Sequence, residues 1–341
     1  SSKYLHYGLT SSDALDTALS LVMRDSLDLI IKDAQLLRRN LLKQARKYKD
    51  LVVIGRTHGV HAEPMTLGLK FLNWVYEADR CIERLKSARE SVSYGKISGS
   101  VGTYANVEPF VEKYVCRKLR LKPAKISSQI LQRDIHSDYL YSITMLGNLL
   151  ERIAMEIRHL HRTEIQELCE PFSKGQKGSS SMPHKKNPIL CERICGLSRV
   201  LRGNLIIALE DTALWGERDM SHSSAERVIL PDSSGLVYYM LKQMNFVIEN
   251  VVVNKENIKK NLEMTKGDIF SQALMLRLLS KGVEKEKAYK LMQKISFENG
   301  NFVENVLGNK EVMGILKREE ISDIESYEYF TKHIGDIFER F

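Results

Sequence analysis

Apolar residues recur every three or four positions between Asp13 and Tyr48: Leu15, Leu19, Val22, Leu27, Ile30, Ile31, Leu37 and Leu41. That period predicts one long helix, with Ser12 or Asp13 able to cap it. A second helix is expected from Pro64 to Tyr94, because the Glu63–Pro64 step puts a proline in a first turn, where its missing N–H is not needed. Gly95 to Ala105 reads as a Gly/Ser-rich loop, and Pro109 opens a shorter helix. The longest candidate runs from Leu131 to Cys169, with Leu140, Ile143, Leu146, Leu149, Leu150, Ile153, Ile157 and Leu160 on one stripe and Gly147 as its interior glycine. Two more long helices are predicted over about 188–212 and 223–252. Strand-like alternation is nearly absent.

Helices of this length far exceed the globular mean of roughly three turns. They belong to bundles, coiled coils or membrane proteins, and no apolar run approaches the ~18 residues of a membrane span. Seven prolines among 341 residues leave long helices uninterrupted. From Asn254 the helices shorten, Lys and Glu increase, and glycines break the pattern at 267, 282, 300, 308 and 314. The expected fold is therefore all-α: a long-helix bundle over 13–253, followed by a smaller helical domain over 254–341. Apolar stripes on long helices often exceed what one chain covers, so association of several copies is expected.

The formal charge of +8 arises from 51 basic and 43 acidic residues that are interleaved. No arginine-rich arm or recognition motif accompanies the excess, which argues for a cationic pocket for a small anion and against nucleic acid. Five scattered cysteines fit reduced thiols in a cytoplasmic protein, and the Cys191/Cys195 pair lacks the partners of a zinc site. Neither a metal nor another cofactor is expected.

Four stretches crowd polar residues where helices begin or end. In HYGLTSSD, residues 6–13, the hydroxyls of Thr10, Ser11 and Ser12 precede the first long helix, as an anion site or as an ordinary cap. GRTHGVHAEP, residues 55–64, carries His58 and His61 three apart. With no third ligand at helical spacing, an acid–base or a structural histidine fits better than a metal pair. KGQKGSSSMPHKKNP, residues 174–188, joins glycines, three serines and Lys185, Lys186 and Asn187. Asn187 is expected to cap a helix that Pro188 starts, so the loop is anchored at both ends and reads as a hinged lid rather than a linker. GERDMSHSSAER, residues 216–227, sets Arg218 and Arg227 around Ser221, Ser223 and Ser224. Arginine forks and hydroxyls suit phosphate oxygens, and a capping cluster with surface ion pairs uses the same residues.

The loop GSSSMPHKKNP resembles the GSSxMPxKxNP signature of the aspartase/fumarase superfamily, whose members are homotetrameric all-α lyases that release fumarate by β-elimination. HYGLTSSD, GRTHGVHAEP and RDMSHSSAER together resemble the bacterial adenylosuccinate lyases, and the likeness covers essentially the whole chain. It implies Ser180 as catalytic base, His58 as general acid oriented by Glu192, and Lys185 with Asn187 holding the carbanion and the succinyl carboxylates. It also implies substrate contacts from His6, Thr10, Ser11, Thr57, Gln129, Ser179, Met182 and Arg193, with phosphate held by Arg218, Ser223 and Arg227. The implied partners are a succinylated purine nucleotide and three further copies of the chain, one site drawing on three subunits. Another superfamily lyase, such as argininosuccinate lyase, and a catalytically silent helical scaffold are the alternatives. Family members carry a domain before HYGLTSSD that adds another histidine and phosphate contacts. Residues 1–12 are then its junction, and a molecule lacking that domain is expected to fold with little or no lyase activity.

Overall fold

The structure, a computed structural model, describes residues 4–172, 175, 179 and 181–341. In chain order the elements are α1 (Ser11–Lys47), β1 (Val52–Thr57), β2 (Val60–Thr66), α2 (Leu67–Ser91), β3 (Tyr94–Gly95), α3 (Pro109–Leu119), β4 (Lys122–Pro123), α4 (Asp134–Leu160), β5 (Leu168–Cys169), α5 (Ile189–Glu210), α6 (Ser221–Asn250) and β6 (Val252–Val253). Short helices then run from α7 (Lys255–Glu263) to a last turn at Ile334–Phe338. The chain is mostly helical, as expected.

It divides into two units. One comprises Ser1–Asn40, Trp74–Arg158 and Glu170–Val251; the other comprises Leu41–Asn73, His159–Cys169 and Val252–Phe341. The first unit is the bundle. Leu27, Ile30 and Leu37 of α1, Val75 and Leu85 of α2, Ile143, Leu149 and Ile153 of α4, Leu201 of α5, and Val237, Leu241 and Met244 of α6 are all buried. Ion pairs tie neighbouring helices beside this core: Arg38 to Asp79, Arg89 to Asp28, and Lys242 to Asp33 at 2.8 Å. The stripe read on α1 is only partly inward. Leu15 and Val22 stand exposed together with Leu29, at seven-residue spacing on the side away from Leu27 and Ile30.

Three local expectations are corrected. Residues 52–66 form an antiparallel hairpin instead of leading into a helix at Pro64, and α2 begins at Leu67. Thr57 pairs with Val60, so His58 and Gly59 are the two turn residues, with φ of +55° and +80°. Positive φ at both positions is the turn whose twist suits a tight hairpin. Pro64 is tolerated because this two-stranded ribbon leaves strand edges free of further pairing. Helix α4 stops at Leu160 instead of Cys169, since Glu167 turns back to donate its N–H to the Leu160 carbonyl and Leu168–Cys169 pair with Val252–Val253. Finally, Pro188 itself is the N-cap of α5 and Asn187 makes no side-chain cap.

In the second unit, Arg56 of β1 grips Glu167 through two hydrogen bonds of 3.0 and 2.5 Å, and Asn261 adds a third at 2.8 Å. This buried carboxylate fastens β1 to the turn before β5 and to α7. Among the described residues no helix is long and apolar enough to cross a membrane.

Candidate active site

The start of α1 is built around Asp13. One carboxylate oxygen accepts the Thr10 N–H at 2.8 Å, reaching back from the first turn to close the helix end. The other accepts Ser98 N–H at 3.0 Å and pairs with Lys96 at 2.6 Å. Both charged side chains are fully buried. Lys96 also donates to the Gln129 carbonyl at 2.8 Å. A single buried pair therefore joins HYGLTSSD to the segments at 96–99 and 127–131. Sequence reading missed Lys96, although a lysine inside a Gly/Ser-rich run with glycines on either side was a usable signal.

One turn on, Asp16 accepts Leu131 N–H and the Arg133 guanidinium, both at 2.8 Å. Arg133 pairs in turn with Glu226 of α6 at 2.7 Å. Glu226 also takes His136 and His222 on its two oxygens, each at 2.9 Å. Burial works to raise the Glu226 carboxyl, but the His136 hydrogen bond and the charges of His136 and Arg133, helped by His222, outweigh it and bring the pKa to about 2. His222 and Glu226 stand four apart, one helical turn, which is the sequence signal that could have found them.

Above this network sits Arg218, just before α6. Its Nη1 donates to Ser12 Oγ and to Gln129 Oε1, each at 3.1 Å, and its Nε donates to His222 Nε2 at 3.4 Å. Two of the expected substrate contacts, Gln129 and Arg218, thus meet beside Thr10 and Ser11 although they are 89 residues apart. Ser223 and Arg227 lie on the first two turns of α6, half-buried and exposed respectively.

The lid candidate is described in part. Ser180 and Gly178 lie outside the described residues. Ser179 Oγ accepts the Met182 N–H at 3.1 Å, and Lys185 N–H reaches the Met182 carbonyl at 3.1 Å, a turn that leaves Met182 and Lys185 exposed. Glu170, on the near side of the loop, accepts Leu190 N–H at 3.0 Å and Cys191 N–H at 2.8 Å. Its carboxylate supplies the cap that Asn187 does not, and pins together the two ends of the loop. Glu192 is exposed on the first turn of α5, and Arg193 beside it hydrogen-bonds the Tyr239 hydroxyl.

His58 and Thr57 belong to the other unit, exposed at the hairpin tip. His61, on β2, has a buried Nδ1 without a hydrogen-bond partner among the described residues; burial, with Arg56 nearby, lowers its pKa. His6 also adopts a left-handed backbone, φ +63°, and is exposed. Non-glycine residues in that region are uncommon, and such strain gathers at functional sites. No cluster of three or more His, Cys, Asp or Glu suited to a metal occurs among the described residues.

The lyase family model matches residues 1–203, and that of the adenylosuccinate lyase C-terminus matches residues 267–341. The adenylosuccinate lyase of Thermotoga maritima is 47% identical over 100% of this chain and 80% of its own length. That of Bacillus subtilis is 46% identical over 99% of the chain and 79% of its own. Among solved structures, the 3-carboxy-cis,cis-muconate lactonizing enzyme of Pseudomonas putida aligns with a TM-score of 0.89 at 27% identity, covering 98% of this chain and 76% of that one. A fumarate lyase from Mesorhizobium sp. BNC1 aligns with a TM-score of 0.89 at 26% identity, covering 99% and 78%.

Proposed function

This chain belongs to the adenylosuccinate lyase family, and we propose that it cleaves adenylosuccinate to AMP and fumarate, and the succinyl-carboxamide ribotide of purine synthesis to its carboxamide and fumarate. The observation that supports the reading is the meeting of Ser12, Gln129 and Arg218 at the start of α1, where two side-chain oxygens hold one end of an arginine fork suited to a nucleotide phosphate.

The chemistry is a β-elimination. Ser180, as alkoxide, takes the proton from the carbon next to the succinyl carboxylate, and a carbanion forms with its charge spread onto that carboxylate. A serine hydroxyl is far too weak a base unaided, so backbone N–H groups and the Lys185 ammonium must hold the alkoxide. Lys185 and Asn187 then stabilise the carbanion. The electron pair moves in to form the fumarate double bond, the C–N bond breaks, and His58 gives its proton to the departing nitrogen. Glu192 orients His58. Arg218, Ser223 and Arg227 hold the phosphate, while His6, Thr10, Ser11, Thr57, Gln129, Ser179, Met182 and Arg193 contact the rest of the substrate.

In this proposal the working unit is a cytoplasmic homotetramer whose sites draw residues from several subunits. The exposed apolar line Leu15, Val22 and Leu29 on α1, with exposed Ile206 and Leu209 on α5 and Val228 on α6, supports association, because isolated bundles rarely leave such faces bare. Fumarate release from adenylosuccinate, measured beside argininosuccinate on protein of known intact mass and native size, tests the activity. Release from argininosuccinate alone overturns it. Mixing Ser180→Ala and His58→Ala variants restores turnover if sites are shared; no recovery after verified subunit exchange refutes the sharing.

A further inference from the structure

We propose that His222 is a positioning residue for Arg218: clamped by Glu226, it offers its second ring nitrogen as the acceptor that aims the arginine at the nucleotide phosphate. This rests on the proposed phosphate role of Arg218. The imidazole is almost fully buried, and its Nδ1 lies 2.9 Å from a Glu226 oxygen. Arg133 Nη2 also stands 3.4 Å from Nδ1, but the carboxylate is nearer and only accepts. Nδ1 therefore carries the hydrogen toward Glu226, and Nε2 is left to accept from Arg218, which only donates. Arg218 Nε donates to that nitrogen at 3.4 Å. Donors and acceptors are therefore fixed in one direction, from Arg218 through His222 to Glu226.

Glu226 is itself immobile, since Arg133 and His136 occupy it from a second element, α4 and the residue just before it. Three acceptors then define the guanidinium: His222 on Nε, and Ser12 and Gln129 on Nη1. Nη2 has no partner among the described residues, which leaves its two N–H groups for an anion. Arg133 bridges Asp16 and Glu226, and the Asp211 carboxylate lies close enough to interact with Glu226, His222 and Arg133. The seat holds Arg218 without neutralising it directly, as a carboxylate in place of His222 would do. A long, flexible arginine held at three points loses less rotamer freedom when it binds phosphate.

The test compares two substitutions with different reach. Asn at 222 keeps a donor for Glu226 but falls short of Arg218, whereas Gln places an amide oxygen near the position of Nε2. With adenylosuccinate, His222→Asn is expected to raise KM about tenfold with a much smaller change in kcat, the loss typical of a charged hydrogen bond. His222→Gln is expected to recover most of that. Calorimetry with AMP and adenosine supplies a readout independent of turnover: His222→Asn weakens AMP about tenfold more than adenosine. Equal losses for AMP and adenosine, or no rescue by Gln, mean a structural role and overturn the proposal. If the parent protein releases no fumarate yet binds AMP, the activity reading fails while the AMP/adenosine ratio still decides the seat. Failure of the parent to bind AMP overturns both.

Discussion

Replacing Lys96 with Met removes a fully buried cation and leaves Asp13 charged in the same place. Lys96 contacts Asp13 at 2.6 Å, the Gln129 carbonyl at 2.8 Å and the Gly99 carbonyl at 3.4 Å. Breaking a buried ion pair from one side costs about 3–5 kcal/mol, because the remaining charge is stranded. Asp13 keeps the N–H groups of Thr10, Ser98 and Gly99, which places Lys96→Met near the lower end, about 3 kcal/mol. Three kcal/mol corresponds to about a hundredfold in an opening equilibrium. Two structural units make a single unfolding midpoint a poor reporter, so hydrogen exchange is the better assay. Peptides spanning 8–14 and 96–105 are expected to exchange about a hundredfold faster in Lys96→Met. The Asp13→Asn/Lys96→Met pair, uncharged on both sides, is expected to recover about 1–3 kcal/mol relative to the sum of the single changes. Unchanged exchange in Lys96→Met, or strict additivity in the double variant, refutes the idea that this pair carries the junction of three segments.

Other outcomes follow from the same geometry. Glu170→Ala removes the side chain that, among the described residues, closes the start of α5 and is expected to cost about 1–2 kcal/mol, with exchange of the 189–193 amides accelerated; Glu170→Gln, which keeps an acceptor, costs less. The folded pKa of Glu226 is depressed to about 2, so the stability it contributes is present above its ordinary value and is lost as pH falls from there toward 2. Acid unfolding of Glu226→Gln is expected to be flatter over that window than that of the parent. Gly102 has φ +84°, and a Cβ there would sit 2.0 Å from the Ser127 carbonyl oxygen. Gly102→Ala is therefore expected to displace the 127–129 segment and raise KM for the nucleotide, and an unchanged KM in a folded variant counts against Gln129 as a contact.

Periodicity alone determined the long helices. Leu140 through Leu160 marked α4, and the absence of proline between Ser11 and Lys47 allowed α1 its length, whereas α6 runs through Pro231; apolar burial at helical spacing is a local property of the chain. The motif HYGLTSSD was legible only as a helix start: α1 begins at Ser11, inside the hydroxyl run, and the Asp13 carboxylate closes its end by accepting the Thr10 N–H. The hairpin at 52–66 was not: its short strands share apolar content with a helix entry, and Pro64 imitates a first turn until strand pairing excludes it. Nor could the sequence show that Arg218 meets Gln129 and Ser12, that Glu170 rather than Asn187 caps α5, or that Lys96 is buried against Asp13. Each depends on segments separated by 20 to more than 200 residues, brought together only by helix packing. Local spacing fixes which face of a helix is apolar; which distant polar group answers a buried charge is decided only when the bundle closes and water is gone.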